Sequence, residues 1–229
     1  MELAIDTSTE IASVAVSQEG ELVAEMTWHS GQNHTVGLVP GIISLLAQIN
    51  ADIQSTYGIS VAKGPGSFNG LRVGVSTAKG LAFALDIPIV GISTLEVEAY
   101  QFAYTELPIC AIHNAGRGEI AVAVYQQKGD RWQQMTEEHL TTADTLCEQV
   151  KDKTLFCGDI PPPAVLQLQK QLGKQAVIPD PIVKLRHASY LAILGWHRLR
   201  TGDKDNPASL QPTYLRQPPI TQPKTRKGK

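Results

Sequence analysis

Cysteine is scarce in this 229-residue chain, and the three present (Cys110, Cys147, Cys157) form no Cys-x-x-Cys pair. An odd, unclustered set supplies neither a disulfide framework nor a zinc site; it fits small core residues in a reducing compartment. No run nears the roughly 18 consecutive apolar residues of a membrane span. Glu2, Asp6 and Glu10 interrupt any secretory leader. The expected location is therefore the cytoplasm, away from membranes. The six histidines include no HExxH or HxxxH pair, which removes a zinc peptidase and leaves no metal centre to expect. Neither a Gly-x-Ser-x-Gly elbow nor a Gly-Lys-Ser/Thr P-loop ending occurs, so the sequence offers no serine-hydrolase or P-loop signature.

What is present is an ordinary globular composition, 42% apolar and 18% charged, enough for one large domain or two small lobes. The net charge of −2 hides an asymmetry. Up to Glu106, 11 acids face only Lys63, Arg72 and Lys79; from Leu107 onward, 11 acids face 17 bases. Five of those bases lie in 216–229, which contains no acid. Residues 217–229 lack the apolar surface that offsets ordering entropy and are expected to form a disordered basic tail. An acidic lobe with a basic tail suits two kinds of neighbour, although lysine-rich termini also serve solubility alone.

Three alternating segments open the chain, Leu3–Asp6, Ile11–Val16 and Glu21–Thr27, and read as an antiparallel meander. A helix over Thr35–Asn50 follows, in which Pro40 suits only the first turn or a kink. Then come a strand at Ile59–Ala62, a glycine-rich bend, a helix from about Gly70 to Leu85, and a strand at Pro88–Ile92. Ser93-Thr-Leu-Glu96 has capping-box spacing and opens a helix to about Tyr104. The order β-β-β-α-β-α-β-α defines an N-terminal lobe, 1–106. A smaller, degenerate C-terminal lobe, 107–216, is expected to hold strands at Ile109–His113, Glu119–Gln126 and Thr154–Cys157 and a helix at Ala188–Leu199. An antiparallel trio followed by parallel crossovers is not doubly wound; it resembles the half-domain of the actin-like (Hsp70 and sugar-kinase superfamily, ribonuclease H-like) α/β fold, and two lobes are expected.

Asp6-Thr7-Ser8-Thr9 lies where strand one turns into strand two. Such a turn can wrap a phosphate, and its aspartate can hold magnesium through water; the same residues also make an ordinary Asx or Ser/Thr turn. The bend Gly64-Pro65-Gly66-Ser67 between strand and helix is a second candidate phosphate contact, with Gly64 and Gly66 suited to positive φ. In the helix after it, Gly70, Gly74, Ala78 and Ala82 recur every four residues. Interior glycine costs about 0.8–1.0 kcal/mol relative to alanine, so this ridge implies close approach of a neighbour. That neighbour is either the Thr35–Asn50 helix or a helix of another subunit.

Ala4-Ile-Asp-Thr-Ser-Thr-Glu10, His34-Thr35 before Leu38-Val-Pro40, Ala62-Lys-Gly-Pro-Gly-Ser-Phe-Asn-Gly-Leu-Arg-Val-Gly74, Val90-Gly-Ile-Ser-Thr-Leu95 and Pro212-Thr-Tyr-Leu-Arg216 together resemble the TsaB (YeaZ) family. The resemblance spans about residues 3–216. It implies a non-catalytic partner that supports TsaD in forming N6-threonylcarbamoyladenosine at position 37 of tRNAs reading codons that begin with A, alongside the ATPase TsaE and with TsaC making the threonylcarbamoyl-adenylate. It also implies that the first two helices contact TsaD, or a second copy when TsaD is absent. The partner residues so implied are His34, Leu38, Ile42, Gly70, Arg72, Val73, Gly74, Thr77 and Ala78, and the ridge is then assigned to the partner. No intrinsic cofactor is implied; ATP or ADP would lie at the boundary with TsaD, and tRNA would be met indirectly or through the basic tail. Two positions depart from the family: Asn69 stands for the usual threonine, and His113-Asn114 lies where an active ATPase carries an aspartate. The alternative is an independent small actin-like ATPase or kinase using Asp6, Thr7, Ser8 and the 64–70 loop; a glycoprotease lacks its metal ligands.

Overall fold

A computed structural model describes residues 1–31, 33–179 and 186–215. The 217–229 tail lies outside the described residues.

The chain opens with β1 (Glu2–Asp6), β2 (Ile11–Gln18) and β3 (Glu21–His29), then α1 (His34–Gln48), β4 (Gly58–Gly64), α2 (Phe68–Leu85), β5 (Ile89–Ser93) and α3 (Thr94–Tyr100). The five strands form one sheet in the order β3-β2-β1-β4-β5. β1 pairs antiparallel with β2 and parallel with β4, so Leu3 lies between Val16 and Ile59. Leu3, Ile5, Val14, Val16, Ile59 and Val61 bury against α1 and α2 on one face. On the other face the alternate positions are small, with Ala4, Ala15 and Ala62 buried among side chains of a later helix. Period-2 alternation thus divides one strand between two cores.

The second half contains β6 (Ile109–Gly116), β7 (Glu119–Lys128), β8 (Arg131–Thr141), α4 (Ala143–Gln149), β9 (Thr154–Gly158), α5 (Pro162–Leu172) and β10 (Ala176–Val177), followed by α6 (Ala188–Arg200). Its sheet runs β10-β9-β6-β7-β8, again a meander joined to two parallel strands. The second lobe therefore repeats the topology of the first and is not degenerate. β8 and β10 leave little trace in the sequence because β8 is polar and largely exposed, while β10 is two residues long.

The expected 107–216 lobe is corrected at its end. α6 lies across β1, β2, β4 and β5 of the first sheet, so the chain returns to the lobe where it began. The reason is steric fit. Gly195 sits against Ser60 and Gly58 against Leu199, and a Cβ at either glycine would collide. Beyond α6, Asp205 bridges to Ile89, and the Thr213 amide donates to the Lys63 carbonyl at 2.6 Å.

Some local features differ from expectation. Ser93 caps α3 by accepting from the Leu95 amide, but that helix ends at Tyr100, short of Tyr104. Pro40 stands in the interior of α1, beyond the first turn. It is exposed there, so water can satisfy the carbonyl that lost its amide partner. The three cysteines are free and buried, and burial pushes the Cys110 thiol up to about 12. Among the described residues no helix is long and apolar enough to cross a membrane.

Candidate functional site

A cavity of about 590 Å³ opens between the two lobes. The β1–β2 turn (Ser8, Thr9, Glu10) and the β4–α2 bend (Gly66, Ser67) wall one side; His113, Asn114, Gly158 and Asp159 wall the other. Glu98 of α3 and Arg186, just before α6, complete it. Strand ends supply most of these groups, as the switch between meander and crossover places two turns side by side.

The β1–β2 turn is tightly self-satisfied. Asp6 Oδ1 accepts from the Ser8 amide at 2.8 Å and also from the Ser8 hydroxyl, which makes an Asx turn. Thr7 points away from the cleft and donates to the Gly70 carbonyl at 2.7 Å. The bend is tied to the same turn, since the Ser67 amide donates to the Ser8 carbonyl at 2.7 Å. Ser67 Oγ caps α2 by accepting from the Gly70 amide at 3.3 Å. Gly64 takes φ +113°, as expected, and packs on the Thr213 carbonyl. Gly66 serves differently: a Cβ there would run into the Ser8 carbonyl.

Arg186 lies at the centre, with its side chain 6% exposed. Its Nε donates to Glu98 Oε1 at 2.7 Å, one Nη donates to the Ser8 hydroxyl, and the same nitrogen is 3.8 Å from Asp6 Oδ2. Burial alone would lower its pKa, but Glu98 and then Asp6 and Asp159 hold the guanidinium protonated, above the ordinary arginine value. Breaking such a buried pair costs about 3–5 kcal/mol, because it leaves a carboxylate unpaired. On the opposite wall, burial pushes the His113 imidazole down to about 4; Arg186 adds to this and Asp159 opposes it. His34 lies buried behind the turn. Burial lowers its pKa against the pull of the Thr9 backbone and the Asp6 carboxylate.

These residues do not fit a magnesium nucleotide. One Asp6 oxygen is held by the turn and the other faces a guanidinium, the Thr7 and Ser8 hydroxyls are engaged, and Glu98, Asp159 and Glu10 would repel phosphates. Of the six candidate phosphate contacts, Ser8, Gly66 and Ser67 line the cleft. No local motif marks Glu98, Asp159 and Arg186 as site residues. A lone arginine 178 residues from its serine partner leaves no local signal.

The expected partner residues divide in two. His34, Leu38, Ile42, Gly70, Gly74 and Ala78 are buried within the chain itself. A Cβ on Gly70 would strike the Thr7 carbonyl, and one on Gly74 the Thr7 hydroxyl. The small-residue ridge is thus corrected: it seats α2 on its own first strand and turn, not on a partner. Arg72 is exposed, and Val73 and Thr77 are half-buried on the outer face. There Val36 (74% exposed), Ile43 (61%) and Phe83 (86%) form apolar outcrops on α1 and α2, with Val39. Arg72 stacks over Phe68 at 4.1 Å, which in turn packs on Tyr214 at 5.0 Å.

Two repeated lobes around a cleft define a two-lobed α/β protein of the actin-like class. Solved structures agree: YeaZ from Pseudomonas aeruginosa superposes with a TM-score of 0.78 at 24% identity, covering 93% of this chain and 99% of that one. The activator of 2-hydroxyisocaproyl-CoA dehydratase from Clostridium difficile, solved with bound ADPNP, shares the fold at a TM-score of 0.52 and 12% identity, covering 88% of this chain and 96% of that one. The family profile described as TsaD, tRNA N6-adenosine threonylcarbamoyltransferase, matches residues 22–221. The tRNA threonylcarbamoyladenosine biosynthesis protein TsaB of Bacillus subtilis is 34% identical over 93% of each chain. The Escherichia coli TsaB is 34% identical over 55% of this chain and 54% of its own. The chain belongs to the TsaB (YeaZ) family of tRNA threonylcarbamoyladenosine biosynthesis proteins.

Proposed function

We infer that this chain is a non-catalytic subunit that docks on TsaD through the outer face of α1 and α2 and supports threonylcarbamoyl transfer to adenosine 37 of tRNA. The observation that carries this reading is the set of exposed apolar side chains Val36, Val39, Ile43 and Phe83 on two helices that pack side by side. Large apolar groups clustered on a polar surface mark an association site. In the absence of TsaD the same face pairs two copies, and TsaE joins the assembly through TsaD. Any ATP or ADP lies at the boundary with TsaD, and tRNA is met through TsaD or the 217–229 tail. The work is placed in the cytoplasm.

The test is co-purification of TsaD with Ile43→Asp and Phe83→Asp. Each change leaves the isolated fold intact, because neither side chain contributes to the core. Association weakens about tenfold or more, the order of a hot-spot loss. Undiminished TsaD capture by both variants would remove the docking face. A second reading, an independent ATPase or kinase, runs against the cleft, because the Asp6, Thr7 and Ser8 side chains are already engaged within the chain. Calorimetric titration of the isolated chain with Mg-ATP separates them, since only the second reading expects saturable binding that Asp6→Ala abolishes.

A further inference from the structure

Asp6 and Ser8 of the β1–β2 turn and Glu98 of the distant α3 converge on a single positive charge. Asp6 is 2% and Glu98 4% exposed, so neither carboxylate can be neutralised by solvent. Among the described residues, Asp6 Oδ2 has no hydrogen-bond donor; the guanidinium 3.8 Å away is its compensation. Two carboxylates and a hydroxyl are the oxygen donors that hard divalent ions take. Here the chain delivers the cation itself. The delivery is well anchored: the start of α6 is fixed to the first sheet by the Ala188 amide on Ser13 Oγ (3.1 Å) and the Ser189 amide on Glu25 (3.3 Å).

We propose that Arg186 is the resident cation of the interlobe cleft, held where Asp6, Ser8 and Glu98 would otherwise bind a divalent ion, and that removing its guanidinium uncovers a latent divalent-cation site. Arg186 is a positioning and specificity residue: it keeps the cleft metal-free and fixes α3, the β1–β2 turn and the start of α6 to one another. This inference is independent of the docking face, and its test uses the isolated full-length chain.

The experiment titrates Mn²⁺ by electron paramagnetic resonance into wild type, Arg186→Met, Arg186→Met/Asp6→Asn and Arg186→Met/Glu98→Gln. The last variant removes one uncompensated buried carboxylate and so protects folding. Arg186→Met is expected to melt about 10 °C lower than wild type. It should bind one Mn²⁺ at least tenfold more tightly, and regain melting temperature when Mn²⁺ is added. Adding Asp6→Asn should abolish both gains, whereas Arg186→Met/Glu98→Gln should keep a weaker site. Equal Mn²⁺ binding by wild type and Arg186→Met overturns the proposal, as does a gain indifferent to Asp6→Asn. If Arg186→Met does not fold, the Glu98→Gln double variant is read alone, and no gain over wild type then overturns it. Failure of both variants to refold with Mn²⁺ as well as without it overturns it equally, because the ion has not replaced the guanidinium.

Discussion

The two faces of α2 are built from different residues and do opposite things. Its inner face carries Gly70, Gly74, Ala78 and Ala82, all buried, with Thr7 and Ile5 pressed into the gaps. Its outer face carries Arg72, Val73, Thr77, Gly80 and Phe83, which the chain itself leaves wholly or partly uncovered. Small residues at helical spacing thus report that some backbone comes close, without saying whose. Here the close neighbour is the chain's own first turn, and the exposed apolar side chains beside it are what a second molecule could cover.

The contrast between the faces is most vulnerable at Gly74. Replacement by leucine drives a side chain into the buried Thr7 and Ile5 side chains and should cost about 3 kcal/mol or more of stability in the isolated chain, as overpacking a closed core does. Urea unfolding checks this, and a normal midpoint would mean that the ridge is not seated on β1. Gly80, further along the helix, is the control, because a Cβ added there would meet nothing within 4 Å. Gly80→Ala should raise stability by about 0.5–1 kcal/mol, because it removes unfolded-state freedom without a clash. A loss in the same urea assay would place an unseen neighbour on the outer face.

The smallest effect is expected in the cleft below the inner face. The unfolded chain protonates His113 near 6.5, whereas the folded chain resists until about 4. Between those values the unfolded state binds more protons, so the stability due to a neutral His113 is complete above pH 6.5 and is lost as pH falls toward 4. His113→Gln should flatten the decline in melting temperature between about pH 6.5 and 5, above the range where carboxylates dominate. An unchanged slope would show that His113 is not held neutral by burial.

Much of the first lobe can be read directly along the chain. Strict alternation in Leu3–Asp6 and Ile11–Val16, the Ser93 cap and the glycine bend are local signals, because strand period, helix capping and φ > 0 act within a few residues. The family is legible in the same way, through short motifs spread from Ala4 to Arg216. Three-dimensional packing settled the remainder. β8 was invisible because an exposed edge strand need not be apolar, and the place of α6 depended on glycine and alanine contacts with strands far away in sequence. The orientation of the α2 ridge and the meeting of Arg186 with Asp6 and Glu98 were likewise undecided along the chain. Such contacts are set by where the sheets stack, and a charge pairs with whatever lies within a few ångströms, whatever its position in the sequence.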